Sequence, residues 1–365
     1  MNAKEKTAVS RAIYAAVMIV LFGFLAVFCT ILKKDSSFSA GLEKPDAMPS
    51  ENYQSVSSSI DEPDFSYDRI TLTFLGGIKA GSMLGSDSYG TLNALYSEMG
   101  ADYFFDGLKT LTDTDDVTYA FCDSVFSDSD SLSPISDDVS KRNLAPASAA
   151  DIFTSGGIDA LSLEGSGVKV YGNDGVLDTK NAIEKSGAAW GNSGKAFYFE
   201  KSGLRVAVYP CTYRAENMDG IVSWIKNAAK NSDFVALMVS AEPDGGYIPD
   251  SDRETAFRSF IDAGAHLVAA TDYTSPQSGE KYGDGYIAYS LGSLIDGSDR
   301  YTEKYSCALR VTVKGKNGRM NEFVAEPIPV CNYGDETPWQ PYIVSENDSA
   351  RRHLESFFAG EEDAP

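Results

Sequence analysis

The chain has 365 residues and a formal net charge of −22 at pH 7. Residues 1–34 hold five basic and one acidic side chain, a balance of +4, so the rest carries −26. That field repels polyanions, which excludes broad binding to nucleic acid or anionic lipid and leaves solubility as its plain use. Ala12 to Leu32 is 21 residues without a charge. At about 1.5 Å per residue it can cross a hydrocarbon core of about 30 Å, and it predicts one transmembrane helix over residues 12–32. A short basic cytoplasmic N-terminus, residues 1–11, precedes it. Lys4, Lys6 and Arg11 also suit the front of a cleavable signal peptide. However, the apolar stretch exceeds the usual signal length and no small-x-small cleavage site follows. Cys29 follows Ala26-Val27-Phe28, and the bulky Phe28 argues against a lipidation signal. Flanking lysines and arginines are nearly balanced, but a single early helix usually serves as signal and tether together. The expected location is the cell membrane, single-pass, with the large domain extracellular. Residues 35–66, rich in Ser, Pro, Asp and Glu, read as a flexible stalk.

A folded domain is expected over residues 67–342, enough chain for one large α/β unit. It opens with "RITLTFLGG", and similar short runs follow at "VTYAFC", "IDALSL", "LRVAVYP", "DFVALMVS", "HLVAAT" and "GYIAYSLGSL". Between them lie helical patterns at "TLNALYSEM", "PASAADIFTSGG", "NDGVLDTKNAIEKSG", "ENMDGIVSWIKNAAKN" and "DSDRETAFRSFIDAG". Alternating strands and helices predict βα units around largely buried sheets, not an all-β sandwich. Near the end, "SCALRVTVKGKNGRMNEFVAEPIPV" reads as a hairpin whose Asn317-Gly318 pair supplies the positive φ angles of a tight turn. A helix around Ser349–Ala359 and an acidic tail complete residues 343–365.

From Thr112 to Ser140 there are eight aspartates and no basic residue. The central glycine and closing glutamate of a calcium loop are missing, so a solvated loop is expected. Cys122, Cys211, Cys307 and Cys331 are widely spaced, without a C-x-x-C pair. Cys122, Cys211 and Cys307 sit in apolar, strand-like runs and read as buried thiols, with one or two disulfides open to an exported domain.

The stretch "ALSLEGSGVKVYGNDGVLDTKNAI", Ala160 to Ile183, is a strand, a glycine-rich loop and a helix start. Such loops form the ligand crevice of α/β proteins, yet this one offers only Glu164, Ser166 and glycines. Glu164, Asp272, Asp123 and Glu242 are expected near one crevice, where carboxylates could hold Mg²⁺, Mn²⁺ or Ca²⁺. No G-x-S-x-G elbow exists for a catalytic serine. The chain has two histidines: His266 at a strand start and His353 in the last helix, neither in a ligand-like loop. Asn173 or Asp174 is expected to cap the helix after the glycine loop, whose free N–H groups could hold an anion weakly.

The order of these elements and their loops resembles the capsule-synthesis CapA family, the poly-γ-glutamate proteins of the calcineurin-like metallophosphoesterase superfamily, from about Ile70 to Val330. "LTFLGG" stands where the family has a strand ending Gly-Asp. "ALSLEGSGVKVYGNDGVLDT" stands for Ser-Leu-Ala-Asn-Asn-His, then Gly-x-x-Gly-x-x-Asp-Thr. "FIDAGAHLVAATDYTSP" stands for Asp-Ala-Gly-Ala-Asp, a strand, then Gly-His-His-Pro-His, and "YIAYSLGSLI" for Tyr-Ser-Leu-Gly-Asn-Phe.

The resemblance implies an α/β sandwich of two sheets flanked by helices, preceded here by the transmembrane helix. It also implies a two-metal site whose ions activate water and steady phosphoryl oxygens. The matching ligand positions have changed. Gly77 stands for the first aspartate, Gly165-Ser166-Gly167 for Asn-Asn-His, Ser240 or Ala241 for a histidine, and Ser293 for the final asparagine. Ala270-Thr271-Asp272-Tyr273-Thr274 replaces Gly-His-His-Pro-His, and Cys122-Asp123-Ser124 replaces Asn-Leu-Glu. The helix start is kept in Gly172, Gly175, Asp178 and Thr179. The expectation is a non-catalytic protein of capsule or envelope polymer biology, without a cofactor, binding an envelope protein or surface polymer. Candidate binding residues are Glu164, Ser166, Asp178, Glu242, Asp272, Tyr273 and Ser293. The alternative is a divergent metal-dependent hydrolase using Asp123, Glu164 and Asp272 with Mg²⁺, Mn²⁺ or Ca²⁺.

Overall fold

A computed structural model describes residues 36–40, 68–138, 141–243, 246–298 and 303–361. The expected transmembrane helix, most of the stalk and residues 362–365 of the tail lie outside the described residues. No described helix is long and apolar enough to cross a membrane.

In chain order the strands are β1 (Ser36–Ala40), β2 (Asp68–Lys79), β3 (Ser82–Met83), β4 (Val117–Cys122), β5 (Val125–Phe126), β6 (Asn143–Ala145), β7 (Ala160–Ser162), β8 (Ala189–Gly191) and β9 (Phe197–Lys201). They continue with β10 (Leu204–Thr212), β11 (Phe234–Ser240), β12 (Leu267–Thr271), β13 (Pro276–Tyr282), β14 (Gly285–Leu291), β15 (Ser293–Asp296), β16 (Tyr305–Lys316), β17 (Arg319–Cys331) and β18 (Tyr342–Ile343). The helices are α1 (Leu92–Met99), α2 (Lys109–Thr112), α3 (Asp151–Ser155), α4 (Gly172–Ser186), α5 (Met218–Ala228), α6 (Ser251–Asp262) and α7 (Ser349–Phe358).

One sheet runs β18-β17-β16-β2-β4-β7-β8, with β15 beside β2, and the other runs β1-β9-β10-β11-β12-β14-β13. Alternation along each strand decides the layers. Ile70, Leu72 and Phe74 of β2, with Tyr119 and Phe121 of β4, meet Val206, Val208, Phe234 and Met238 of the opposite sheet. Ala120 and Cys122 point the other way, into a core with Ile152, Phe153 and Ile183 of α3 and α4. On the far side Leu237 and Val239 pack against Ile221 and Ile225 of α5 and Phe257 and Phe260 of α6. The result is an α/β sandwich of two facing sheets with helices outside. Double burial explains why the central strands read as continuous apolar runs.

Parallel pairing aligns β2 with β4 and β7, and β10 with β11 and β12. Their C-terminal residues Lys79, Cys122, Ser162, Thr212, Ser240 and Thr271 lead into one rim. Loops leaving such ends are where α/β proteins build ligand crevices.

Most expected elements are present, including the hairpin: Asn317 has φ 55° and Gly318 φ 69°. Thr91, Asp250 and Asp348 accept backbone N–H bonds as N-caps of α1, α6 and α7. Several readings need correction. Asn173 and Asp174 lie inside the first turn of α4, because the helix begins at Gly172 after an uncapped Tyr171. Ser36–Ala40 falls in the stretch read as stalk, and its main chain pairs antiparallel with β9. As read, Cys122, Cys211 and Cys307 are buried free thiols, and Cys331 is one too, with no disulfide among the four described cysteines.

The aspartate-rich stretch is only partly a solvated loop. The Asp115 side chain is fully buried against Arg310 at 2.8 Å, and Asp116 accepts from the backbone N–H of Thr71 and from Lys201. These carboxylates close the strand ends over unpaired donors, a use that composition cannot reveal.

Candidate functional site

At the shared rim lies a crevice of about 510 Å³. Asp123, Glu164, Ser166, Glu242, Asp272 and Tyr273 all line it, so six of the sequence candidates meet there. Asp178 and Ser293 do not. Asp178 accepts from Ser127 Oγ at 2.5 Å beside α4, where the neighbouring Thr179 accepts from Phe126 N and donates to Gly175 O. Ser293 is buried at the start of β15, tied by its main chain to Thr274 and Asn332, and its hydroxyl has no partner.

Glu164 follows β7 and is nearly buried, its side chain 5% exposed. Its carboxylate accepts from Ser193 N at 2.5 Å and Thr212 Oγ1 at 2.7 Å, and faces Lys169 Nζ at 3.4 Å. These bonds tie the glycine loop to both sheets. Asp123 follows β4 and accepts from Gly167 N. Burial pushes its carboxyl up to about 6, against the opposing pull of Lys79 and the Gly167 N–H.

The glycines of the loop are sterically required. A Cβ on Gly165 would stand 2.4 Å from Asp123 Oδ1, and one on Gly167 would stand 2.3 Å from Asp123 O. The Asp123 side chain therefore excludes a larger residue at 165, while the main chain of residue 123 by itself excludes one at 167.

Tyr273 occupies the floor. Its backbone is left-handed, φ 61°, an uncommon state for a residue with a bulky side chain. Its hydroxyl lies 2.9 Å from Ser240 Oγ, and its ring meets Phe121 edge-on. A Cβ on Gly77 would stand 2.5 Å from Tyr273 Cδ1, so the ring fills the space beside Gly77. Burial pushes the phenol well above its ordinary range, with Asp123 adding to the effect.

Asp272 accepts from Thr274 N and Oγ1, each at 2.9 Å, and from Ser290 Oγ at 3.2 Å. Its other oxygen faces the Arg253 guanidinium at 3.9 Å. Arg253, only 2% exposed, also donates to Gln277 Oε1 at 2.8 Å and to the Glu242 carbonyl at 2.6 Å. Sequence reasoning passed over this residue. It shares the buried face of α6 with Ala256, Phe257 and Phe260, and a charge at that spacing in a core must find partners.

The cations of the crevice were passed over too. Lys79, Lys141, Lys169 and Arg214 line it beside the acids. Lys79 pairs with Asp296 at 2.9 Å, whereas Arg214 and Glu242 are exposed and 4.0 Å apart. Among the described residues no three His, Cys, Asp or Glu side chains are grouped so as to hold a metal ion. His266 accepts from Val235 N and stacks on Phe234, away from the crevice.

No curated protein matches the chain. Among solved structures, that of a hypothetical protein from Thermus thermophilus is similar at 12% identity and a TM-score of 0.41, over 71% of this chain and 99% of that one. Residues 71–298, more than half of the chain, match the bacterial capsule synthesis protein family PGA_cap, and the chain belongs to that family.

Proposed function

We propose that this member of the capsule synthesis family is anchored in the cell membrane by its N-terminal helix, faces outward, and binds or scaffolds without catalysis. Its partner is a protein of the cell envelope or a surface polymer of the poly-γ-glutamate type. One observation carries the reading. The Tyr273 ring lies where a side chain at position 77 would project, and its hydroxyl bonds Ser240. By the resemblance to calcineurin-like metallophosphoesterases, position 77 and either 240 or 241 would carry metal ligands.

Against a dinuclear centre stand the residues themselves. Glycine, serine and tyrosine give neither the charge nor the imidazole nitrogens that two closely spaced divalent ions require. The nearby carboxylates are committed: Glu164 to Ser193, Thr212 and Lys169, Asp123 to Gly167, and Asp272 to Thr274 and Ser290. These residues do not fit the two-metal group.

Metal content and turnover of the detergent-solubilised full chain test the reading. No stoichiometric metal and no hydrolysis of phosphomonoesters or phosphodiesters are expected. Stoichiometric Mn²⁺, Mg²⁺ or Ca²⁺ with turnover, both lost in Asp272→Ala, would establish the metal-dependent hydrolase instead.

A further inference from the structure

The crevice does not end at Arg214. A second hollow of about 570 Å³ shares Glu164, Lys169, Thr212 and Arg214 with it, and a third of about 590 Å³ shares Tyr209 and Gly220 with the second. The three form one groove that leaves the rim of the strands and runs beside α5.

The outer two hollows have a distinctive chemistry. In a chain of net charge −22, they are lined by Lys169, Arg214, Lys226 and Lys230 against Glu164 and Glu216. Glu164 is nearly buried and paired with Lys169, and Arg214 lies 4.0 Å from Glu242, so the cations left for a ligand are chiefly Lys226 and Lys230, with Arg214 shared between its partner and the groove. The far end carries an aromatic platform. Trp224 stacks on Tyr209 at 4.4 Å between ring centroids and 10° between planes, and the Tyr209 hydroxyl donates to the Ser193 carbonyl at 3.0 Å. Asn217, Ser223 and Asn227 add amide and hydroxyl groups along the way.

We propose that this groove binds an acidic oligosaccharide, a glycan chain bearing carboxylates, with several units lying along it. Aromatic faces suit the apolar faces of sugar rings, amides and hydroxyls suit sugar hydroxyls, and Arg and Lys suit the carboxylates. A flexible polypeptide of side-chain carboxylates offers no ring to the platform, so the glycan is the better fit. The surrounding acidic surface repels any polyanion, this ligand included, so binding depends on the groove's own contacts. The proposal rests on the reading that the chain binds without catalysis, and it puts an acidic glycan in the place of the poly-γ-glutamate-type polymer named there.

Binding of oligogalacturonates to the detergent-solubilised full chain, by calorimetry at low and physiological salt, tests it. Binding is expected, weakening as salt rises because exposed charges are screened. Lys230→Glu and Arg214→Glu each weaken it about tenfold or more, in keeping with loss of a charge-assisted contact. Both positions are solvent-facing, so folding is preserved, and thermal unfolding is measured alongside. Trp224→Ala weakens binding with an unchanged salt slope.

Equal affinity for neutral malto-oligosaccharides would overturn the role of the cations. Equal or tighter binding of poly-γ-glutamate would overturn the glycan assignment, and absence of all binding would overturn the site. Metal content and phosphoester turnover are independent of these results, so the two readings fail separately.

Discussion

Gly77→Ala is the sharpest probe of the filled crevice. The added Cβ would lie 2.5 Å from Tyr273 Cδ1, 3.2 Å from its Cγ and 3.3 Å from its Cα. Carbon atoms in contact sit about 3.5–4.0 Å apart, so the ring must retreat by roughly 1 Å. It has nowhere to go. Phe121 abuts it, Ser240 holds its hydroxyl, and the Tyr273 backbone is already in a strained basin. Overpacking of this kind costs about 1–3 kcal/mol, offset by about 0.4–1 kcal/mol from the stiffer unfolded chain. The net expectation is destabilisation by about 1–2 kcal/mol. Tyr273→Ala removes the ring, at about 3–5 kcal/mol by itself. In that background Gly77→Ala keeps only the contact at the Cα and becomes nearly neutral. The double-mutant cycle therefore returns a coupling of about 1–2 kcal/mol. Urea unfolding of the detergent-solubilised chain, followed by fluorescence, measures all four corners. An equal cost of Gly77→Ala in both backgrounds would refute the placement of the ring over position 77.

Two further outcomes follow from the buried carboxylates. Burial holds the Asp123 carboxyl near 6 against an ordinary 3.8, so the folded state takes up a proton before the unfolded state does. Its ionisation opposes folding fully above about pH 6, and that cost fades as pH falls toward 3.8. Asp123→Asn, which keeps an oxygen for the Gly167 N–H, should thus gain stability over the natural chain at pH 7.5. The gap should be at most about 3 kcal/mol at pH 7.5, shrink to about 1 kcal/mol by pH 4.5, and close only below the ordinary value of 3.8. A gap independent of pH in denaturant titrations would rule this out. Glu164→Ala strips partners from Ser193 N and Thr212 Oγ1 and should lower stability by more than about 2 kcal/mol, with Glu164→Gln losing less. Equal thermal unfolding of the two variants would show that the carboxylate is not the tie between the sheets.

Much of this molecule was legible in the sequence because burial writes a periodic signal. β2, β4, β10, β11 and β12 are each buried almost end to end, and each had appeared as an apolar run. The Asn317-Gly318 turn was legible for a local reason, since left-handed backbone selects those residues. β8 and β13 were not, because Ala189–Gly191 is too short and Pro276–Tyr282 too polar to stand out. The family followed from loop sequences at strand ends, and so did the set of residues that now meet at the crevice.

What each crevice residue does was decided only by tertiary contact. No local pattern tells that Glu164 is spent on Ser193 and Thr212, that Arg253 is buried against Asp272, or that Tyr273 stands over Gly77. Nor does it tell that Lys169, Arg214, Lys226 and Lys230 line one groove. Sequence fixes side-chain chemistry and the period of burial, both local properties. Partnership in space depends on which strands pair and which loops meet, and those distances are set by the whole chain at once.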